Sequence, residues 1–523
     1  MFKIFLSLLA FTIFTPVWST PIESYFCKDK SLEQLPIQAA GRIKPLSVHA
    51  KDLIKFIFVA HSLEKMSATE SFCLLTLKSF GLNNTEWKPL IKVDHIWCKE
   101  LLGLQKNEAG ASPELIEAKL LDLRMEHAKR KINDSEKKEL SKILGRFQSY
   151  QEISTGISWT LPSIDPNDAK NILWRPIISE LSEEKINSLK NTSSSPSTDG
   201  AGAFLAFFKM KQDQYQSVKG NDYLLEYKYY QIHPFGTALI LSLLALLSIY
   251  IFKSNKIAWA LTSLAILFQV IGFVLRIYIS GRAPITNMYE TVVFSGFGCL
   301  MVALLLYCFK KETFFWSAGL TYNVLTLMMA NFANEMLNPS IAPLVPVLRD
   351  NFWLSTHVTT VILSYAALAL SWILANMAII QGLRKKLLLV EEQRLTTLIY
   401  AAVKVGVVLL SAGVILGGVW ADYSWGRFWG WDPKETWSLI VLLIYIAILH
   451  GKHTNWITPK RFIPAIAAAF LSVMMAWFGV NYILAAGLHS YGFSEGGAIF
   501  LLSFFSIQVF ILILHFSKMK LRA

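Results

Sequence analysis

The chain has 523 residues, 53% of them hydrophobic and only 17% charged, with a net charge of +13 at neutral pH. Soluble domains carry about 25% charged residues, so this balance, with repeated apolar runs of about 20 residues, excludes an ordinary soluble enzyme and describes a polytopic membrane protein. The excess of lysine and arginine then serves membrane topology rather than nucleic-acid binding.

Residues 1–20, MFKIFLSLLAFTIFTPVWST, place one lysine before an apolar core that ends in small and polar residues. This pattern is a signal peptide or a short uncleaved anchor, and either puts the adjoining polar region outside the cytoplasm. Residues 21–232 are mixed and polar, long enough for a small core of their own, and read as a mostly helical exported domain. Within it, residues 35–57 predict a turn leading into a helix, with Gly41 and Pro45 as breakers. Residues 113–147 predict a solvated helical pair broken near Asn133 and Asp134. Residues 191–203, NTSSSPSTDGAGA, predict a flexible linker. His49, His61, His95 and His127 show no ligand spacing. The five cysteines, Cys27, Cys73, Cys98, Cys299 and Cys308, form no CxxC pair, which argues against a zinc or dithiol motif. A bridge among Cys27, Cys73 and Cys98 is compatible with the sequence but its pairing is open.

Residues 233–523 form the membrane domain. Nine spans are predicted, at about 235–252, 257–279, 289–309, 313–332, 353–382, 401–419, 436–450, 463–484 and 497–516. With the first domain outside, the inner connectors and tail hold 14 Lys and Arg, and the outer connectors hold four, Arg282, Arg349, Arg427 and Lys434. That bias obeys the positive-inside rule, independently of the hydropathy that defines the spans. It puts His357, His489 and the segment 420–437 on one outer face. His450 and His515 end spans on the inner face.

The segment 420–437, WADYSWGRFWGWDPKETW, holds five of the 16 tryptophans: Trp420, Trp425, Trp429, Trp431 and Trp437. An interfacial aromatic belt is spread over many helix ends. Five tryptophans in one connector point instead to a flat, apolar ligand, and Gly426 and Gly430 permit close backbone approach. Asp432, Pro433 and Glu435 fit the N-cap, N1 and N3 positions of a capped helix, which assigns them to helix initiation rather than acid–base chemistry. His357 and His489, sharing a face with these rings, suit two neutral imidazole ligands of a haem iron. His450 could belong to a second, inner pair, whereas His515, beside a basic tail, reads as a headgroup contact. Arg282, in SGRAPITNMYE, is read equally as a loop residue or as a partner for a haem propionate. Walker, GxGxxG, HExxH and GxSxG motifs are absent in any plausible context.

WGRFWGWDPKETW resembles the WWD signature of haem-handling membrane proteins. FWLSTHV, SYAAL, GRAPITNMYET and FGVNYILAAGLHSYG resemble one branch of them, the CcsA (ResC) family of system II cytochrome c biogenesis, over about 235–516. The resemblance implies haem delivery across the membrane and covalent attachment to CxxCH motifs of exported apocytochromes c, a haem lyase activity. It implies reduced b-type haem as the bound substrate, His357 and His489 as iron ligands, His450 at an inner haem site, and the tryptophans as a platform. It further implies a CcsB/ResB-like membrane partner and a bacterial inner-membrane location, with the WWD segment on the periplasmic side. The GRIKPLSVHA run resembles an N-terminal extension of long family members. Residues 21–232 do not resemble CcsB, which carries several spans. The second inner histidine is expected from that partner, with His515 as a conjectural stand-in. Two other classes stay open. A bis-histidine cytochrome b-like electron-transfer subunit would pair its histidines inside the bundle. A transporter of haem or another hydrophobic solute would need no ligation chemistry. The related system I haem-handling protein fits the flanking residues less well.

Overall fold

The computed structural model describes residues 26–59, 66–80, 89–129, 133–181, 199–333, 336–343, 350–385, 387–484 and 497–522. The leader read at residues 1–20 lies outside them. The chain divides into two compact units, Met1–Lys228 and Tyr229–Ala523.

Among the described residues, the first unit mixes helices with three two-stranded antiparallel sheets. The run 35–57 is not only a turn and a helix. Pro36–Ala39 pairs antiparallel with Arg42–Pro45, and the helix Leu46–Ile57 comes next. Ala40 and Gly41 at the tip both take positive φ, 52° and 76°, as the tight two-residue hairpin turn requires. Arg42 then reaches Glu226 through two bonds of 2.5 and 2.7 Å, which explains a basic residue in a structural hairpin. The charged helices also differ from the prediction. The first is split at Lys119 into Pro113–Ala118 and Leu120–Ala128, and the second runs from Asp134 to Ser154. They are not merely solvated, because Leu123, Leu140, Ile143 and Phe147 are buried in the core with Phe72 and Trp159. The predicted linker is cut short, since a helix already begins at Asp199 and runs to Lys219. Cys27 and Cys73 are disulfide-bonded, whereas Cys98 is a buried thiol. His49 meets the Ser158 hydroxyl at 3.1 Å, and His127 meets Ser141 at 2.8 Å. Burial, then the nearby Lys44, pushes the His49 pKa down to about 3, so it is a neutral core residue.

The second unit is a helical bundle. Its helices are α1 (Pro234–Tyr250), α2 (Asn255–Ser280), α3 (Met288–Lys310), α4 (Thr313–Phe332), α5 (Thr359–Arg384), α6 (Leu389–Trp425), α7 (Pro433–His453), α8 (Pro459–Met474) and α9 (Gly497–Arg522). A π-helical turn, Leu354–Val358, precedes α5, and π-helical Met475–Leu484 continues α8. Among the described residues, eight helices are long and apolar enough to cross a membrane, and the chain is a multi-pass membrane protein. The fourth predicted span, 313–332, is present as α4 but falls short in hydropathy. The reason is its polar residues. Asn323, on α4, is wholly buried and donates to Gln269 on α2 at 2.8 Å, while Ser242 on α1 donates to Asn323 at 3.1 Å. In an apolar bundle such side chains join helices that have little hydrophobic reason to associate. Gln508 on α9 plays the same part, accepting from Trp372 on α5 at 2.7 Å.

The largest departure is α6. The predicted span 401–419 is the middle of a 37-residue helix. At 1.5 Å per residue it is about 55 Å long, well beyond the ~30 Å of bilayer hydrocarbon. Its first turns, read as connector because of Glu391, Glu392 and Arg394, still bury Leu395, Leu398 and Ile399. Arg394 also pairs with Glu312 at 3.0 Å. Its last turns run into the tryptophan-rich segment and end at Gly426.

Candidate functional site

A cavity of about 180 Å³ lies where the start of α5, the end of α6, the start of α7 and the π-helical end of α8 converge. The loop Ile285–Asn287 and the first turn of α3 close one wall. Both π-helical segments contribute, with Leu354, His357 and Val358 from one and Ala476, Trp477 and Asn481 from the other. Such turns widen a helix locally and recur at functional sites.

His357 is fixed by a backbone bond. Its Nδ1 lies 2.9 Å from the Gly413 carbonyl on α6. A carbonyl only accepts, so Nδ1 carries the proton and Nε2 carries the lone pair that a metal needs. Holding a ligating imidazole through its other nitrogen is the usual way proteins set its orientation. The ring stands 5.7 Å from the Trp420 ring at 60°. Gly417 makes room for it, because a Cβ there would lie 2.6 Å from His357 Cε1.

The tryptophans do not form one continuous shelf. Trp420 and Trp429 line the cavity together with Phe428. Trp431 is exposed and meets Trp429 edge-on at 6.0 Å. Trp437 packs against the bundle core, and Trp425 lies under the Arg427 guanidinium. The physical reason is that 420–425 are helical and 433–437 open the next helix, so only residues 426–432 are connector. Glu435 organises that connector, accepting from the backbone N–H of Gly430 at 2.8 Å and of Asp432 at 3.2 Å. Asp432 is the N-cap of α7, accepting from Lys434 N–H at 2.9 Å, with Pro433 at N1. Trp431 takes φ +57°, uncommon for so bulky a side chain. The Asp432 cap and the Glu435 bonds hold it there.

Two buried polar atoms on the cavity wall lack hydrogen-bond partners among the described residues: Trp420 Nε1 and Asn481 Oδ1. Each such orphan costs about 1–3 kcal/mol, so the wall offers one donor and one acceptor to a bound group. Lys434 lines the same cavity and supplies a cation. Nothing in the sequence pattern singled out Asn481 or Trp477, and only the convergence of α7 with the π-helical end of α8 brings them to the same cavity as Lys434. Trp420→Phe keeps an aromatic ring, though a smaller one, and removes the orphan donor. It is expected to raise the melting temperature of the ligand-free protein while weakening retention of a bound ligand several-fold, readable in one thermal-shift series with and without ligand.

The other sequence-predicted residues lie elsewhere. Arg282 donates to the Ala342 carbonyl at 2.5 Å and is not on the cavity wall. His450 is exposed in the last turns of α7, roughly 26 Å along the helix from Pro433. His515 lines a different cavity, and His450 is not on its wall. His489 lies outside the described residues, which stop at Leu484 and resume at Gly497.

A family profile described as "Cytochrome C assembly protein" matches residues 285–489, the stretch that builds this cavity. The CcsA protein of Prochlorococcus marinus (strain NATL2A) is 34% identical over 266 residues, covering 44% of this chain and 84% of that one. The chain belongs to the CcsA family of cytochrome c assembly proteins. CcsA of Parasynechococcus marenigrum is 33% identical over 296 residues, covering 50% of this chain and 96% of that one. The protein NrfI of Wolinella succinogenes is 35% identical over 245 residues, which are 45% of this chain but only 26% of NrfI. A solved structure, Cytochrome c Heme Lyase CcmF, aligns with a TM-score of 0.41 at 17% identity over 55% of this chain and 50% of that one, too loosely to carry an argument. CcsA membership places the chain in cytochrome c assembly.

Proposed function

We propose that this CcsA-family chain receives haem as its substrate, holds it in the outer cavity, and joins it to the CxxCH motif of an exported apocytochrome c. The observation that carries the reading is His357, on the wall of a ring-lined cavity, with its Nδ1–H tied to the Gly413 carbonyl so that the lone pair lies on Nε2. His489 is proposed as the second axial ligand. Trp420, Trp429 and Phe428 would flank the macrocycle. Trp420 Nε1 and Lys434 offer a donor and a cation suited to a propionate, a role for which Lys434 is better sited than Arg282. The N-terminal unit and the tryptophan segment are assigned to the periplasmic side of a bacterial inner membrane. The positive-inside bias supports this, as does the Cys27–Cys73 bridge, since disulfides belong to oxidising compartments. A CcsB-like partner completes the system, and His450 belongs to haem entry on the inner side.

In the bond-forming step each cysteine S–H adds across a haem vinyl group. The sulfur bonds to the carbon beside the ring, the proton goes to the terminal carbon, and no electrons are gained or lost. The chain contributes by holding haem and peptide in register, an effect that can be large, and by excluding water from the iron.

The test is maturation of a CxxCH reporter in a host without its own system, expressing this chain with a CcsB-like partner. Wild type yields covalent haem on the reporter. His357→Ala combined with His489→Ala abolishes it and removes the reduced-haem absorbance of the purified membrane protein. Normal maturation by the double variant overturns the ligand assignment.

A further inference from the structure

A second cavity, of about 500 Å³, lies between the end of α5, the start of α6, the start of α8 and the end of α9. It is far from the first. His357 and Leu383 belong to the π turn and α5, and at 1.5 Å per residue they are about 39 Å apart. That separation exceeds the hydrocarbon thickness of a bilayer, about 30 Å, so the two cavities open at opposite membrane faces. The second one sits at the lysine-rich face.

Its wall is apolar except for four side chains: Lys460, Lys518, Glu392 and His515. Lys518 donates to the Leu383 carbonyl, which anchors its ammonium and leaves two further N–H bonds. Glu392 Oε2 and His515 Nε2 are both buried and lack hydrogen-bond partners among the described residues. A buried carboxylate oxygen can only accept, so it calls for a donor. The two ammonium groups call for an anion. A ligand with only acidic groups would satisfy the lysines and be repelled by Glu392. A ligand with only a cationic group would do the reverse. The apolar remainder, including Ile379, Leu387, Leu389 and Ile463, suits hydrocarbon.

We propose that this cavity is a binding site for a phospholipid whose head carries both a phosphate and a hydrogen-bond donor, with phosphatidylethanolamine the simplest case. Its phosphate lies against Lys460 and Lys518, its ammonium against Glu392 and His515, and its acyl chains along the apolar wall. Basic pockets between helices at the inner face are the usual seats of lipid heads. What is particular here is the buried acceptor among the cations, which selects for a donor-bearing head.

The full chain, purified in detergent and exchanged into phosphatidylcholine nanodiscs, is titrated with phosphatidylethanolamine of matched acyl chains and read by native mass spectrometry of the released protein. The expected result is one tightly held phosphatidylethanolamine, retained at least tenfold better than phosphatidylcholine, whose choline has no N–H. Glu392→Gln should erase that preference by at least fivefold. Lys460→Ala should weaken both lipids, and Lys460→Arg should restore binding, which separates loss of charge from misfolding. Water-soluble glycerophosphoethanolamine should compete only at far higher concentration, identifying the source as lipid. Equal retention of the two lipids, or no change in Glu392→Gln, overturns the proposal. So does displacement of the lipid by haem at equimolar concentration, which would make the cavity a porphyrin site.

Discussion

Glu290→Ala is expected to destabilise the membrane unit by about 3–5 kcal/mol, the largest single-residue effect foreseen in this chain. Arg276 on α2 and Glu290 on α3 are 1% and 3% exposed and meet at 2.5 Å. Arg276 also reaches the Tyr229 hydroxyl at 3.2 Å and the Pro339 carbonyl at 3.0 Å. Glu290 accepts from Thr286 twice, through its backbone N–H at 2.8 Å and its hydroxyl at 2.7 Å. Removing one partner strands the other charge where water cannot reach it, and that stranded charge, rather than the lost attraction, dominates the loss. The damage should reach the outer cavity, because Thr286 forms part of its wall. Thermal unfolding of the detergent-solubilised protein checks the magnitude. Arg276→Met with Glu290→Leu, which removes both charges, should be far less harmful than either single loss. A change below about 1 kcal/mol in Glu290→Ala would show that the pair does not hold this corner.

The second expected result separates the site from the fold. Gly417→Ala introduces a Cβ 2.6 Å from His357 Cε1 and 3.1 Å from its Nδ1. The imidazole must swing, and its 2.9 Å bond to Gly413 must lengthen or break. If His357 ligates haem iron, haem retained by the purified protein falls at least tenfold, while the melting temperature moves by only a few degrees. Gly382→Ala on α5 is the control. Its nearest neighbour would be at 3.6 Å, an ordinary contact, and alanine favours a helix over glycine by up to about 1 kcal/mol. Equal haem retention by both variants would remove His357 from the ligand set.

Much of the membrane unit is legible in the sequence because a lipid-facing helix must be apolar along its length. The exceptions have physical causes. The ends of α6 read as connectors because Glu391, Glu392 and Arg394 are polar, yet these turns are amphipathic and bury one face. Helix α4 tolerates Asn323 because that side chain is wholly buried against α1 and α2 rather than facing lipid. In the site, His357 and the tryptophan segment share a face that charge bias alone can assign. Asn481 and the loop at Thr286 join them only through tertiary packing, which no local pattern encodes. Arg276 did carry a readable signal, a lone charge within an apolar run, but its partner 14 residues on lies across a loop. In the first unit, the Asp199 helix begins inside a stretch whose serine and glycine content mimics a linker.

One property of α6 reaches beyond either cavity. Glu392 borders one of them, Gly417 borders the other, and the helix between them is unbroken. That makes α6 a lever about 38 Å long between its two working points. At that length, a tilt of about 5° around its middle carries each end by roughly 2 Å in opposite directions. The imidazole is packed so closely on Gly417 that even a Cβ there would lie 2.6 Å from its Cε1. A ligand that tilted α6 from its Glu392 end would therefore shift Gly417 and the Gly413 carbonyl against His357, with no relay of side chains in between.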